Sequence, residues 1–150
     1  MTVLDRRAAR VVLVDGSGRA LLLRGTDPAR PSLRWWFTPG GGLSPGESPA
    51  EGAARELFEE TGLRVPPADL GRPVWQQVTE FSYDGRDYRQ DQEFFYLQVP
   101  SWEVSTAGMD AEEQRTIDGH RWWSAAELDA TDETFYPLEL ASLLRRLISC

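Results

Sequence analysis

Residues 41–63 read GGLSPGESPAEGAARELFEETGL, and the rest of the chain falls into order around them. The stretch predicts one helix with both ends marked. Ser48 is an N-cap, Pro49 suits the first helical position, and Glu51 completes a capping box. Gly62 stands where a left-handed residue ends a helix. At about 100° per residue, Ala50, Ala53, Ala54, Leu57 and Thr61 share one side, where small side chains allow close packing on a sheet. Glu56, Glu59 and Glu60 share another side, spaced i, i+3 and i+4. They repel one another, and Glu59 and Glu60 also face the negative end of the helix dipole. Arg55 is the only basic residue on this helix.

Taken alone, three such carboxylates read as a solvated acidic face. A divalent cation among them offers a sharper reading, because it turns mutual repulsion into shared attraction. Mg²⁺ takes carboxylate oxygens and keeps water positions open for substrate phosphates.

The composition narrows the chemistry. Of 150 residues, 41% are hydrophobic and 27% charged, which is ordinary for a globular chain and argues against disorder. The length predicts one domain over residues 1–150. The longest apolar runs, Val11–Val14 and Ala20–Leu23, are too short to cross a bilayer. MTVLDRRAAR at the start lacks the apolar core of a signal peptide. The sole cysteine, Cys150, fits a reducing compartment, so the expected location is the cytoplasm. A net charge of −8 opposes non-specific binding to nucleic acid or to anionic membranes. With one histidine, His120, a zinc site of His/Cys type is excluded in practice. All 16 basic residues are arginine, which removes a Walker A loop, a Schiff base and a lysine base. Carboxylate and arginine remain, and they suit hard metal ions and phosphates.

Outward from the helix, Arg10–Asp15 and Arg19–Arg24 read as strands joined at Gly16-Ser17-Gly18. Gly25–Leu33 reads as an exposed loop, and Arg34–Thr38 as a short aromatic strand running into Pro39-Gly40-Gly41-Gly42. Val74–Tyr83 and Gln92–Val99 predict a hairpin turning at Asp84-Gly85. Ser101–Asp110 reads as irregular, Gly119–Trp123 as a last strand and Pro137–Ile148 as an amphipathic helix. Interleaved strands and helices give an α/β class with a mixed sheet.

The central stretch also matches, without gap or substitution, the pattern G-x5-E-x7-R-E-U-x-E-E-x-G-U, where U is aliphatic. Gly41, Glu47, Arg55, Glu56, Leu57, Glu59, Glu60, Gly62 and Leu63 carry it. A chance match has odds on the order of 10⁻⁷ at ordinary residue frequencies. In this the chain resembles the Nudix hydrolases, as does the lead-in WWFTPGGG. The resemblance implies an α/β/α sandwich around a mixed β-sheet. It also implies a hydrolase that cleaves the pyrophosphate linkage of a nucleoside diphosphate derivative by attack of a metal-activated water, with Mg²⁺ or Mn²⁺. Glu59 and Glu60 then stand as metal ligands, Glu56 as ligand or base, and the Gly40 carbonyl as a further ligand. Glu47 and Arg55 form an orienting pair that holds the loop over the helix.

Relatives often add a downstream glutamate that contributes a metal ligand or acts as the base. Glu112 and Glu113 are the candidates, with Glu113 preferred and Glu93 in reserve. Both also suit the first turn of a short helix. For substrate contact, Arg34, Trp35 and Phe81 lead a wider set of aromatics and arginines that includes Trp36, Trp75, Tyr83, Tyr88, Arg24, Arg30 and Arg89. His120, beside Arg121-Trp122-Trp123, reads as structural. Two related functions are weighed against hydrolysis. A Nudix-like sensor binds a nucleotide or ADP-ribose without cleaving it, but usually has a damaged motif. An isopentenyl-diphosphate-type isomerase needs a cysteine within the body of the fold. The exposed aromatic strands also leave a homodimer open.

Overall fold

A computed structural model describes residues 2–149. Cys150, on which the redox expectation rests, lies outside the described residues. The strands are β1 Val3–Val14, β2 Ala20–Asp27, β3 Arg30–Phe37, β4 Gly40–Gly42, β5 Trp75–Tyr83, β6 Arg86–Gln98, β7 Ile117–Trp123 and β8 Phe135–Tyr136. The α-helices are α1 Pro49–Thr61, α2 Ala111–Thr116, α3 Ala125–Ala130 and α4 Leu140–Ile148.

The strands form one mixed sheet in the order β5-β6-β1-β2-β3-β8, with β4 also on β1 and β7 also on β2. β1 runs parallel to β6 and β3 parallel to β8, and the other pairs are antiparallel. β1 and β2 meet in register only at Val14 and Ala20. Beyond that point they splay, so β4 lines β1 over Ala8–Arg10 while β7 lines β2. The splay divides the sheet into two halves, and Gly40–Gly42 pairs with β1.

Alternation along β1 sorts the core onto two faces. Ala9, Val11 and Leu13 join Leu21 and Phe95 under Ala53, Ala54 and Leu57 of α1. Val12 and Val14 join Ala20, Leu22 and Phe94 under Leu128 of α3 and Leu140, Leu143 and Leu144 of α4. This is the α/β/α sandwich that the motif implies. No helix among the described residues is long and apolar enough to cross a membrane.

Three boundaries differ from the sequence reading. Gly25–Leu33 is a hairpin rather than a loop: β2 continues to Asp27 and β3 begins at Arg30. The buried Asp27 carboxylate closes it by accepting from the Ala29 N–H at 2.9 Å and from Arg30 at 3.1 Å. The same carboxylate accepts from the Asp84 N–H at 2.9 Å, tying this hairpin to the β5–β6 turn. β1 starts at Val3 rather than Arg10, and β6 at Arg86 rather than Gln92. Their parallel ladder runs from Val3 opposite Asp87 to Val14 opposite Gln98, so non-local pairing holds polar segments that show little strand pattern. The six-residue α3, capped by Ser124 and Glu127, was also not anticipated. The Asp84-Gly85 turn does match, with both residues at positive φ (51° and 75°), as a type I′ turn requires.

Candidate active site

Helix α1 is built as its termini specify. The Ser48 side chain accepts from the Glu51 N–H at 3.1 Å, and the Glu51 carboxylate accepts from the Ser48 N–H at 2.9 Å. Gly62 ends the helix at φ 81°. The irregular stretch 101–110 then covers that end. The Thr61 carbonyl accepts from Trp102 Nε1 at 2.8 Å and from the Ser105 N–H at 2.9 Å, so a helix-terminal acceptor is satisfied twice. This cover leads into α2 and delivers Glu113 to the acidic side of α1.

Carboxylate oxygens of Glu56, Glu59 and Glu113 converge within 4.8 Å of one another. Glu113 also closes the capping box of α2, accepting from the Asp110 N–H at 3.1 Å. Glu60 lies behind the group, 3% exposed, and accepts from the Gly40 N–H at 2.7 Å. It shares a further hydrogen bond with Glu113. Gly41 makes room for the group: a Cβ there would stand 2.8 Å from Glu56 Oε1.

Arg55 anchors the assembly. Its Nε and Nη2 donate to the two oxygens of Glu47 at 2.8 and 2.9 Å, a bidentate contact, and Nη2 also donates to the Gly42 carbonyl at 3.1 Å. Nη1 reaches Glu56 at 3.1 Å and Glu59 at 3.2 Å. The guanidinium therefore ties the loop before α1 to both the glycine strand and the acid group. Its contact holds the Glu47 carboxyl below the ordinary range.

Proton affinities follow from this crowding. Desolvation pushes Glu56 up to about 7; Glu113 and Glu59 add to the rise as like charges, while Arg55 opposes it. Burial likewise raises Glu60 well above the usual range, with Glu56 adding and the Gly40 N–H opposing. Glu113 is raised too, first by burial and then by Asp110 and Glu59, while the Asp110 N–H and the bond with Glu60 oppose.

The remaining candidates are dispersed. Arg34 and Arg24 both pair with Asp118. Trp35 is half-buried, and Phe81 stacks on Tyr88 with ring centroids 5.4 Å apart. Trp36 and Trp75 pack in or against the core. Arg30 bonds Asp27 and the Ser82 carbonyl. Glu112 is exposed, Glu93 lies on β6 outside the converging group, and His120 is exposed on β7. The sequence reading missed Arg10, which lies beside this site. Its Nε donates to Gln92 at 2.8 Å and its Nη1 to the Thr38 carbonyl at 3.1 Å. Strand alternation from Val12 back through Arg10 was the available signal.

A mixed sheet carrying a glycine strand, an acid-bearing helix and a bidentate Arg–Glu brace defines the Nudix class of fold. The NUDIX domain model matches residues 4–145, and the chain belongs to the Nudix family. It is similar to an RNA pyrophosphohydrolase of Francisella philomiragia, 32% identical over 105 residues, covering 63% of this chain and 65% of that protein. It is also similar to a MutT-like protein of Streptomyces ambofaciens, 42% identical over 59 residues, covering 39% of this chain and 35% of the relative. An octanoyltransferase of Myxococcus xanthus is 49% identical over 67 residues, 43% of this chain but only 18% of that protein. The match thus spans less than two thirds of each of these relatives. Among solved structures, the fold is shared with an Escherichia coli dihydroneopterin triphosphate pyrophosphohydrolase at TM-score 0.67 and 18% identity, covering 99% of this chain and 100% of that one. A MutT protein from Methanosarcina mazei gives TM-score 0.65 at 22% identity, covering 99% and 96%.

Proposed function

We propose that this chain is a cytoplasmic, single-domain hydrolase that cleaves the pyrophosphate linkage of a nucleoside diphosphate derivative with Mg²⁺ or Mn²⁺. The observation that carries this reading is the convergence of Glu56, Glu59 and Glu113 from two helices. Their donor set is oxygen only, without histidine or cysteine, which favours a hard dication over zinc or copper. Names of the relatives support the substrate class, since several act on phosphoric anhydrides. A bound dication would neutralise phosphoryl oxygens and lower the pKa of a water.

The residues divide the remaining work. Glu56, Glu59 and, from behind them, Glu60 would hold the cation from α1, with the Gly40 carbonyl as a further ligand. Arg55 and Glu47 keep the glycine strand against the helix. Glu113 approaches from α2, and its raised proton affinity suits it to take the proton of the attacking water. The new bond joins that water oxygen to phosphorus, the anhydride P–O bond breaks, and the leaving phosphate carries away the electron pair. The test is a panel of nucleoside triphosphates, dinucleotides, nucleotide sugars, ADP-ribose and triphosphate-ended RNA, with Mg²⁺ or Mn²⁺. Glu59→Gln and Glu60→Gln run beside the wild type. The reading expects turnover of at least one substrate class, abolished by chelation and cut at least about a hundredfold by either substitution, roughly 2.7 kcal/mol of barrier. Turnover unchanged from the wild type in both variants would contradict it.

A further inference from the structure

Arg10 and Arg6 differ from most arginines whose contacts are resolved. Arg19, Arg24, Arg30, Arg34, Arg55, Arg121 and Arg145 each pair with a carboxylate. Arg6 and Arg10 make no such ion pair among the described residues. They are held by neutral amides instead. Arg6 Nη1 donates to Gln90 Oε1 at 2.9 Å, Gln90 Nε2 donates to Gln92 Oε1 at 3.0 Å, and Arg10 Nε donates to the same Gln92 oxygen at 2.8 Å. Gln92 Nε2 then donates to Gln77 Oε1 at 2.9 Å. Gln90 and Gln92 are only 1% and 6% exposed. Strands β5 and β6 thus supply amides, two of them buried, that fix Arg6 and Arg10 without a direct ion pair. Arg6 is exposed, but Arg10 is half-buried and desolvated with no carboxylate in direct contact, which is costly to the fold, and its retention asks for a ligand.

The location names the ligand. A Cβ at Gly40 would stand 2.7 Å from Arg10 Cγ, one at Gly41 2.8 Å from Glu56 Oε1, and one at Gly42 2.8 Å from Arg6 Nε. Three successive glycines therefore have arginine, glutamate and arginine against them. Arg10 feels the charges of Glu60 and Glu56, and its Cζ lies 6.0 Å from the centre of the Phe37 ring. Desolvation, with Arg6 adding to it, lowers its pKa to about 10, so the guanidinium is still charged at neutral pH.

We infer that Arg10, fixed by Gln92, binds non-bridging oxygens of a substrate phosphoryl group beside the carboxylate cluster, and so positions the pyrophosphate linkage over it. This rests on the proposed hydrolase reading and adds a specific anion contact to it. Guanidinium is suited to the task because its planar donors match phosphate oxygens and it stays ionised. The amide chain leaves that charge available, whereas a carboxylate partner would compete with the substrate.

The test titrates methylenediphosphonate, a non-cleavable pyrophosphate, into protein held with Mn²⁺. Wild type, Arg10→Gln, Arg10→Lys, Gln92→Leu and Glu59→Gln are compared, together with Mn²⁺ binding alone by electron paramagnetic resonance and with thermal stability. The inference expects Arg10→Gln to weaken diphosphonate binding at least tenfold while Mn²⁺ binding changes less than twofold and Tm does not fall. Arg10→Lys should lie between, and Gln92→Leu should weaken binding severalfold with the charge still present. Diphosphonate affinity unchanged in Arg10→Gln overturns the inference. So does a loss shared by Mn²⁺ affinity and Tm, which marks Arg10 as structural. If Glu59→Gln binds Mn²⁺ and diphosphonate as the wild type does, the metal reading fails while the Arg10 result still stands. A wild type that binds no diphosphonate sinks both.

Discussion

Replacing Glu56 with glutamine in the metal-free protein should remove a pH-dependent instability built into α1. The Glu56 side chain is 12% exposed, and its carboxyl is carried from the ordinary 4.5 to about 7 by burial, with Glu113 and Glu59 as like charges and Arg55 opposing. Each tenfold change in a proton equilibrium is worth about 1.4 kcal/mol, so ionised Glu56 costs the fold on the order of 3 kcal/mol. The sign follows from linkage. Between pH 4.5 and about 7 the folded chain binds more protons than the unfolded one, so stability falls as pH rises through that window. Below it the group is protonated in both states and costs nothing. Glu60 is raised as well and acts in the same direction. Glu47, held low by Arg55, acts oppositely and only at more acid pH. For a chain of this size about 1 kcal/mol moves Tm by roughly 2–4 °C. The wild type with chelator should therefore lose roughly 5–10 °C between pH 5.5 and 8. Glu56→Gln should lose much less, both directly and by relieving Glu60. Added Mg²⁺ should restore the wild type at pH 8 and do little for the variant. Calorimetry across this range makes the measurement. A wild-type Tm that rises towards pH 8, or an equal fall in the variant, would refute the reasoning.

The other expectations concern single contacts. Gly41→Ala puts a Cβ 2.8 Å from Glu56 Oε1, so kcat should fall tenfold or more while stability, read by urea denaturation, changes by less than about 1 kcal/mol. Glu47→Gln breaks the bidentate contact with Arg55 and should cost about 1–3 kcal/mol in the same assay, with activity falling as the glycine strand loosens. Glu113→Gln should lower kcat at least about a hundredfold with Mn²⁺ affinity reduced far less, whereas the exposed Glu112→Gln should turn over like the wild type.

What was legible in the sequence was local. Ser48, Glu51 and Gly62 mark α1 because caps are chemistry between near neighbours, and the acid face follows from the helix period. Glu113 was legible as a first-turn residue, but its approach to Glu56 depends on Trp102 and Ser105 covering the Thr61 carbonyl, which no spacing announces. The start of β1 was hidden because Asp5, Arg6 and Arg7 become strand only through their ladder with β6, more than 80 residues away. The β2–β3 hairpin was hidden because the buried Asp27 closes a turn-rich stretch that composition alone reads as loop. Arg10 went unremarked for the same reason: its partners are Gln92 and the Thr38 carbonyl, on other strands.

The most direct test of the whole account is diffraction from crystals soaked in Mn²⁺, measured for the metal's anomalous signal. The account predicts at least one strong peak within coordination distance of carboxylate oxygens from Glu56 and Glu59, facing Glu113, with Arg55 drawn back towards Glu47. A cluster without an anomalous peak at saturating Mn²⁺, its three carboxylates still spanned by Arg55 or turned into solvent, would contradict it.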